Sequence, residues 1–234
     1  MRRRKKEQRK NRYSDSHRDS VHRKTLTVSN LAVALIGFLF LVSVSVVLVL
    51  NLRGLYYFDI GYLRISETTG LSEKEIRENY DTLIDYNLVT GGVKNLEFPS
   101  FPMSENGRIH FGEVKRIFLV IQYMFVICGV IWIAGLMRKL FRKDYGSLKL
   151  LALFSFAIPA VLGVLASLYW DAFFETFHKL FFRNDYWLFD PVTDPVIWIL
   201  PDAYFAHCAA AVLILVLFGG ALTGGIYRSL KKVF

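Results

Sequence analysis

The 234-residue sequence has little of what staples or punctuates a soluble fold: two cysteines and six prolines. Cys128 and Cys208 both fall inside uncharged runs, so neither a disulfide framework nor a zinc site is expected. More telling is where charge is missing. Asp, Glu, Lys and Arg are absent from residues 25–52, 117–137, 150–170 and 203–227, which are 28, 21, 21 and 25 residues long. Each run can cross a hydrocarbon core of about 30 Å at about 1.5 Å per helical residue. These gaps exclude a soluble globular protein and predict a polytopic membrane protein. No small-residue A-x-A exit follows the first run, so it reads as a retained span rather than a cleaved signal peptide. The near absence of charge within the spans argues against an ion or proton path through the bilayer. No G-x-S-x-G elbow, H-E-x-x-H pair or internal repeat is present. The acyltransferase-type H-x-x-x-x-D pattern also fails, because Asp185 is the first aspartate after His178.

Charge, where present, is sorted by side. Residues 1–24, 138–149 and 228–234 carry 19 basic and 4 acidic residues, a net of +15, while 53–116 and 171–202 carry 10 and 16, a net of −6. By the positive-inside rule both termini are cytoplasmic and the two acidic loops face outward. The expected organisation is a basic cytoplasmic tail (1–24), spans at 25–52, 117–137, 150–170 and 203–227, an extracellular cap (53–116), a cytoplasmic loop (138–149), an extracellular aromatic and acidic loop (171–202) and a cytoplasmic tail (228–234). The fold class is an all-α membrane protein with four transmembrane helices and a small α+β cap. The basic tail reads as an orientation signal in contact with anionic lipid headgroups. Being short, interrupted by Ser and Asp and without stacking aromatics, it does not point to nucleic acid.

At 64 residues, 53–116 is too long for a connector and must have structure of its own. "LSEKEIRENYDTLIDYNLVTGG" reads as one helix. Ser72 and Glu75 form a capping box, Ile76, Tyr80, Leu83, Ile84 and Asn87 share a face, and Gly91-Gly92 stops it. Short strands or irregular loops are expected at "GLYYFDIGYLRI" and "VKNLEFPSFP". In the spans, Pro159 predicts a kink with Ser155 satisfying the freed carbonyl. Gly220 and Gly224 in "GGALTGG" predict a close helix contact.

Five histidines are the remaining candidates for chemistry. His17 and His22 lie in the basic tail and read as solvated. His207, in the first turns of the fourth span, reads as a ring satisfied by a neighbouring helix. His110 and His178 both fall at a membrane boundary on the outer side. Helix continuation past Trp170 puts Trp170, Phe174, His178 and Phe182 in one row, with Phe177 and Phe181 beside it and Glu175 and Lys179 paired on another face. Aromatics number 10 of the 21 residues from 169 to 189, against 15% of the chain. An interfacial aromatic belt explains Trp170 and Tyr186. It does not explain a titratable ring in the same row, which burial would keep neutral and able to act as a general base. Asp185, Asp190, Asp194 and Glu113 read as orienters of imidazoles or turns, and Trp187 as a wall of the site. A metal-dependent lipid hydrolase using one of these acids as a third ligand stays open, as does a non-enzymatic membrane adaptor with an acidic binding cap.

Two stretches carry a resemblance. "FHKLFFRNDYWLFDPVTDPVIWILP" (177–201) has the His, paired Phe, Asn/Asp, Trp, Pro-x-x-Asp and closing Pro of the bacterial lipoprotein intramolecular transacylase family. "HFGEVKRIF" (110–118) is similar to that family's His-Met-x-Asp-Val, with Phe111 for Met and Glu113 for Asp. The resemblance implies an enzyme that moves the sn-2 acyl chain of a diacylglyceryl-cysteine lipoprotein to the α-amino group of the same cysteine, giving the lyso-form. It implies two catalytic histidines at the interface of cap and membrane, which fall on His110 and His178. Phe174, Phe177, Phe181, Phe182, Trp187, Glu113, Asp185 and Asp194 are expected to line or orient the pocket. The partners implied are a lipid-modified lipoprotein and membrane lipids, with no cofactor and no metal.

Overall fold

A computed structural model describes residues 26–233, so the basic tail with His17 and His22 lies outside the described residues. In chain order the helices are α1 (Val28–Asn51), α2 (Arg53–Tyr62), α3 (Ile65–Thr69), α4 (Glu73–Asn87), α5 (Glu105–Phe141), α6 (Gly146–Leu168), α7 (Trp170–Phe181), α8 (Val196–Ile199) and α9 (Asp202–Val233). Four of them, α1, α5, α6 and α9, are long and apolar enough to cross a membrane. α1 touches the other three, and α6 also packs along α9.

Small residues set how closely α6 and α9 approach. A Cβ on Gly220 would lie 2.6 Å from the Ser155 Cβ, so only glycine fits there. Ser155 is therefore committed to packing, and its hydroxyl finds no hydrogen-bond partner among the described residues. The expectation that Ser155 would satisfy the carbonyl freed by Pro159 is thus corrected. Pro159 itself sits inside α6, which continues through it from Gly146 to Leu168. At the end of the bundle away from the cap, Asn30 in the first turn of α1 donates to Asp144 at 3.0 Å and Lys139 pairs with the same carboxylate at 2.8 Å.

The cap departs from the expected α+β form, because no strand occurs among the described residues. "GLYYFDIGYLRI" forms α2 and the start of α3. Tyr56, Asp59 and Ile60 are buried on one face of α2, at helical spacing. Burial of that face overrides the strand preference of the aromatics. "VKNLEFPSFP" is irregular: its prolines cannot donate to a ladder, and Ser100 is tied instead to Asn79, whose Nδ2 donates to its hydroxyl at 2.7 Å. α4 follows the sequence at its N-cap and along its buried face, but it ends at Asn87, with Leu88 as its C-cap, before the glycines expected to stop it. Ser72 Oγ accepts the Glu75 N–H at 3.2 Å, and Ile76, Tyr80, Leu83, Ile84 and Asn87 are buried together. In the cap core Tyr56 and Tyr80 stack at 3.7 Å, Tyr80 and Tyr204 share a hydroxyl hydrogen bond of 2.7 Å, and Tyr56 donates to the Ile199 carbonyl at 2.6 Å. Those contacts lock α2, α4, α8 and the head of α9 into one unit.

α5 ties that unit to the bundle. Its 37 residues span about 55 Å, against about 30 Å of hydrocarbon. The uncharged stretch begins at Ile117, so the first three turns, His110 included, stand in the cap ahead of the span.

Candidate active site

Three separate devices bring His110 and His178 together. The first is the start of α5. Ser104 caps it by accepting the Gly107 N–H at 2.9 Å, while the Ser104 N–H donates to Asp194 Oδ1 at 2.8 Å. Asp194 is 3% exposed and also accepts the Thr193 hydroxyl at 2.8 Å. A Cβ on Gly107 would lie 2.3 Å from Asp194 Oδ1, so the glycine is what lets the carboxylate reach the cap. The second device is a break at Tyr169, which ends α6 and starts α7. Along α7 the expected row forms, with Trp170–Phe174 at 5.9 Å, Phe174–His178 at 4.2 Å and His178–Phe182 at 5.7 Å. Lys179 and Glu175 pair on another face. The third is a clamp between the two segments. Asn184 Nδ2 donates to both oxygens of Glu113, at 3.1 and 3.2 Å, while Asn184 Oδ1 accepts the Tyr186 N–H at 3.1 Å.

The imidazole centroids then lie 6.3 Å apart with the rings tilted by 30°. Phe182 abuts both, edge-on to His110 at 4.7 Å. Trp187 stacks on His178 at 4.7 Å, Phe177 meets it edge-on at 5.6 Å, and Phe189 closes on His110 at 5.4 Å. His178 Nδ1 is 2.8 Å from the Phe174 carbonyl oxygen. A carbonyl can only accept, so Nδ1 carries the proton and Nε2 keeps a free lone pair. Burial lowers the His178 pKa from its ordinary value, opposed by this hydrogen bond and by the charge of Asp202. His110 is 5% exposed, and burial, with His178 beside it, pushes it down to about 4. Both rings are therefore neutral at pH 7.

Three buried polar atoms in or beside this enclosure find no partner among the described residues: His110 Nδ1, Trp187 Nε1 and Trp170 Nε1. Buried polar groups are satisfied in most proteins, and exceptions concentrate where function requires them.

The other residues read from the sequence sort out as follows. Phe174, Phe177, Phe182 and Trp187 pack on the histidines. Phe181 packs against Phe177 with ring centroids 4.7 Å apart and is half exposed, outside the ring contacts of either imidazole. Glu113 meets Asn184 rather than an imidazole. Asp194 holds the head of α5, and Asp190 Oδ1 accepts the Val192 N–H at 2.9 Å in a turn. Asp185 is exposed, and its backbone carbonyl accepts the Leu188 N–H. His207 Nδ1 donates to Asp59 at 2.9 Å, the neighbouring-helix partner expected for it. No three His, Cys, Asp or Glu side chains among the described residues are grouped to hold a metal ion. Asn184 and Phe189 were missed as site residues. Both lie within the 177–201 stretch, and what distinguishes them is a partner about 70 residues away in sequence, as with Asn184 and Glu113.

Known proteins share the sequence pattern and the fold. The family model for lipoprotein intramolecular transacylase Lit matches residues 31–205. The in meso structure of the membrane integral lipoprotein intramolecular transacylase Lit from Bacillus cereus superposes with a TM-score of 0.85 at 34% identity, covering 90% of this chain and 97% of that one. Two further structures of that enzyme, with one histidine replaced by arginine or by alanine, each give a TM-score of 0.78 at 33% identity. They cover 96% and 95% of this chain and 96% and 97% of theirs. No curated protein sequence matches. Matched by the family model over residues 31–205 and by solved structures of the Bacillus cereus enzyme over nine-tenths or more of its length, the chain belongs to the lipoprotein intramolecular transacylase family and is an integral membrane acyltransferase.

Proposed function

We propose that this protein moves the sn-2 acyl chain of a diacylglyceryl-cysteine lipoprotein to the α-amino group of that cysteine, with His178 as base and His110 as donor to the leaving oxygen. The observation that carries the reading is the pair of neutral imidazoles 6.3 Å apart inside one aromatic enclosure. The His178 tautomer supports its role, since the Nδ1–H held by the Phe174 carbonyl leaves Nε2 ready to accept a proton. That a histidine is the residue replaced in two structures of the Bacillus cereus enzyme is consistent with this reading.

The chemistry needs no acyl-enzyme. The amine nitrogen attacks the ester carbonyl carbon and the carbonyl electron pair moves to oxygen. The nitrogen's proton passes to His178 Nε2. Collapse of the intermediate reforms the carbonyl, breaks the ester C–O bond and returns the His178 proton to the departing alkoxide. His110, too deeply buried to charge readily, donates a hydrogen bond to that oxygen without giving up its proton. Ester and amine become amide and alcohol, and the enzyme ends as it began. Holding both ends of one substrate in reacting geometry contributes about 7–11 kcal/mol in well-oriented intramolecular systems. The phenyl rings serve that purpose while excluding the water that would hydrolyse the ester. The charge asymmetry of the loops supports a site at the outer leaflet with both termini cytoplasmic.

The test is mass spectrometry of lipoprotein N-termini from membranes carrying the wild type, His178→Ala or His110→Ala, with insertion checked in each. Either substitution is expected to lower conversion of diacyl to lyso-form at least a thousandfold. Conversion at the wild-type rate by an inserted His178→Ala protein would sink the proposal.

A further inference from the structure

We infer that the indole N–H of Trp187 is the hydrogen-bond donor that receives the negative charge on the ester carbonyl oxygen during acyl transfer. The inference rests on the two-histidine reading above and adds the group that reading lacks. His178 has Nδ1 engaged by the Phe174 carbonyl and uses Nε2 as the base, so it has no N–H left for the oxyanion. In that reading His110 is committed to the leaving oxygen, and the remaining walls around His178, Phe174, Phe177 and Phe182, have no donor side chains. Trp187 lies against His178 at 4.7 Å with the planes 29° apart, and its Nε1 is buried without a partner among the described residues. A buried donor left without a partner is destabilising, and a phenylalanine would fill a wall without that penalty. A preformed donor in a water-excluded enclosure is what stabilises a tetrahedral intermediate.

In the balanced step, the electron pair displaced when nitrogen attacks carbon resides on the former carbonyl oxygen, where the Trp187 N–H meets it. The nitrogen's proton goes to His178 Nε2, and no proton leaves the indole. On collapse the pair returns to the C–O bond and the alkoxide departs with the proton from His178. The indole N–H therefore acts only on the intermediate and on the transition states flanking it.

Full-length protein in lipid vesicles, given a diacylglyceryl-cysteine lipopeptide and read by mass spectrometry, tests this directly. Trp187→Phe keeps an aromatic wall and removes the donor. The expected result is a fall in kcat of roughly a hundredfold, as for loss of one oxyanion donor, with KM changed less than threefold. Replacement of Trp187 by benzothienylalanine, which keeps the bicyclic shape with sulfur in place of N–H, should give the same loss and covers misfolding of the phenylalanine variant. Trp170→Phe removes another buried, unpartnered indole N–H two helical turns from His178, and a much smaller loss is expected there. Wild-type kcat with benzothienylalanine, or equal losses at positions 170 and 187, would overturn the assignment. If His178→Ala still turns over, the two-histidine reading fails. If His178 is required and the donor-free position 187 is not, only the role of Trp187 falls.

Discussion

His178 and His110 are the same residue type held in opposite ways. His178 has one nitrogen fixed by a backbone carbonyl one turn back, whereas His110 Nδ1 has no partner among the described residues and its ring is sealed among Phe111, Phe182 and Phe189. Burial disfavours the charged imidazolium, so both pKa values move down from the ordinary 6.5, His110 to about 4. As pH falls, each ring stays neutral past 6.5 and charges only at lower pH. The rate profile is a poor probe of this, because the substrate's own α-amine titrates near 7.7–8.0. Ring signals of isotope-labelled histidine in nanodiscs read it directly. At pH 6.5 both imidazoles are expected to be more neutral than charged, with His110 staying so nearly to pH 4. A half-charged ring at 6.5, assigned by its loss in His178→Ala or His110→Ala, would contradict the burial. Asn184 gives a second test at this scale. Asn184→Asp sets a carboxylate against Glu113, so a drop in rate of about tenfold or more is expected, corresponding to roughly 1.4 kcal/mol in positioning the histidines. Adding Glu113→Gln reverses donor and acceptor and should restore most of it, an outcome that simple loss of packing would not give.

Among the elements, the start of α5 is where sequence and structure depend most on each other. Asp194 reaches the Ser104 N–H only because Gly107 has no side chain. Gly107→Ala should push the carboxylate off the cap and destabilise the cap by about 1–3 kcal/mol, as overpacking does, with activity falling because His110 stands one turn on. Asp194→Ala should have a similar effect, and the double variant should be much less than additive in thermal unfolding because both break one contact. Ser72→Ala on α4 should cost about 1 kcal/mol of cap stability and leave turnover unchanged. These elements also mark what could be read beforehand. The α4 face, the aromatic row of α7 and the two histidines were legible because each is a matter of helical spacing or boundary position. The strands expected in the cap were wrong because a weak alternation in "GLYYFDIGYLRI" was outweighed by burial of Tyr56 and Ile60 against Tyr80 and Tyr204. Likewise the Asn184–Glu113 clamp and the His207–Asp59 bond join residues 71 and 148 positions apart, and local pattern has no access to such partners.

For the whole molecule, the decisive quantity is the difference in charge between the two ends of the bundle. α1 enters from the same end at which Asn30 meets Asp144, and α9 returns to it, so the cap and both histidines stand at the other end. The loop at 138–149 carries five basic residues and one acidic, whereas 171–202 carries two and six. Lys and Arg in short loops stay on the cytoplasmic side, so the proposed topology has Arg142 inside and Asp185 outside. Single cysteines report this once Cys128 and Cys208 have been replaced by serine. In intact cells Asp185→Cys should react with a membrane-impermeant maleimide, while Arg142→Cys should react only after the membrane is permeabilised. The reverse pattern would put the histidines at the cytoplasmic leaflet and overturn the assigned topology. The same experiment bears on the chemistry, since α5 is about 25 Å longer than the hydrocarbon it crosses. On the proposed reading the cap-side turns of α5 hold His110 above the acyl region, where the ester and amine of a lipid-anchored cysteine would lie, so labelling at Asp185 tests the leaflet from which substrate enters.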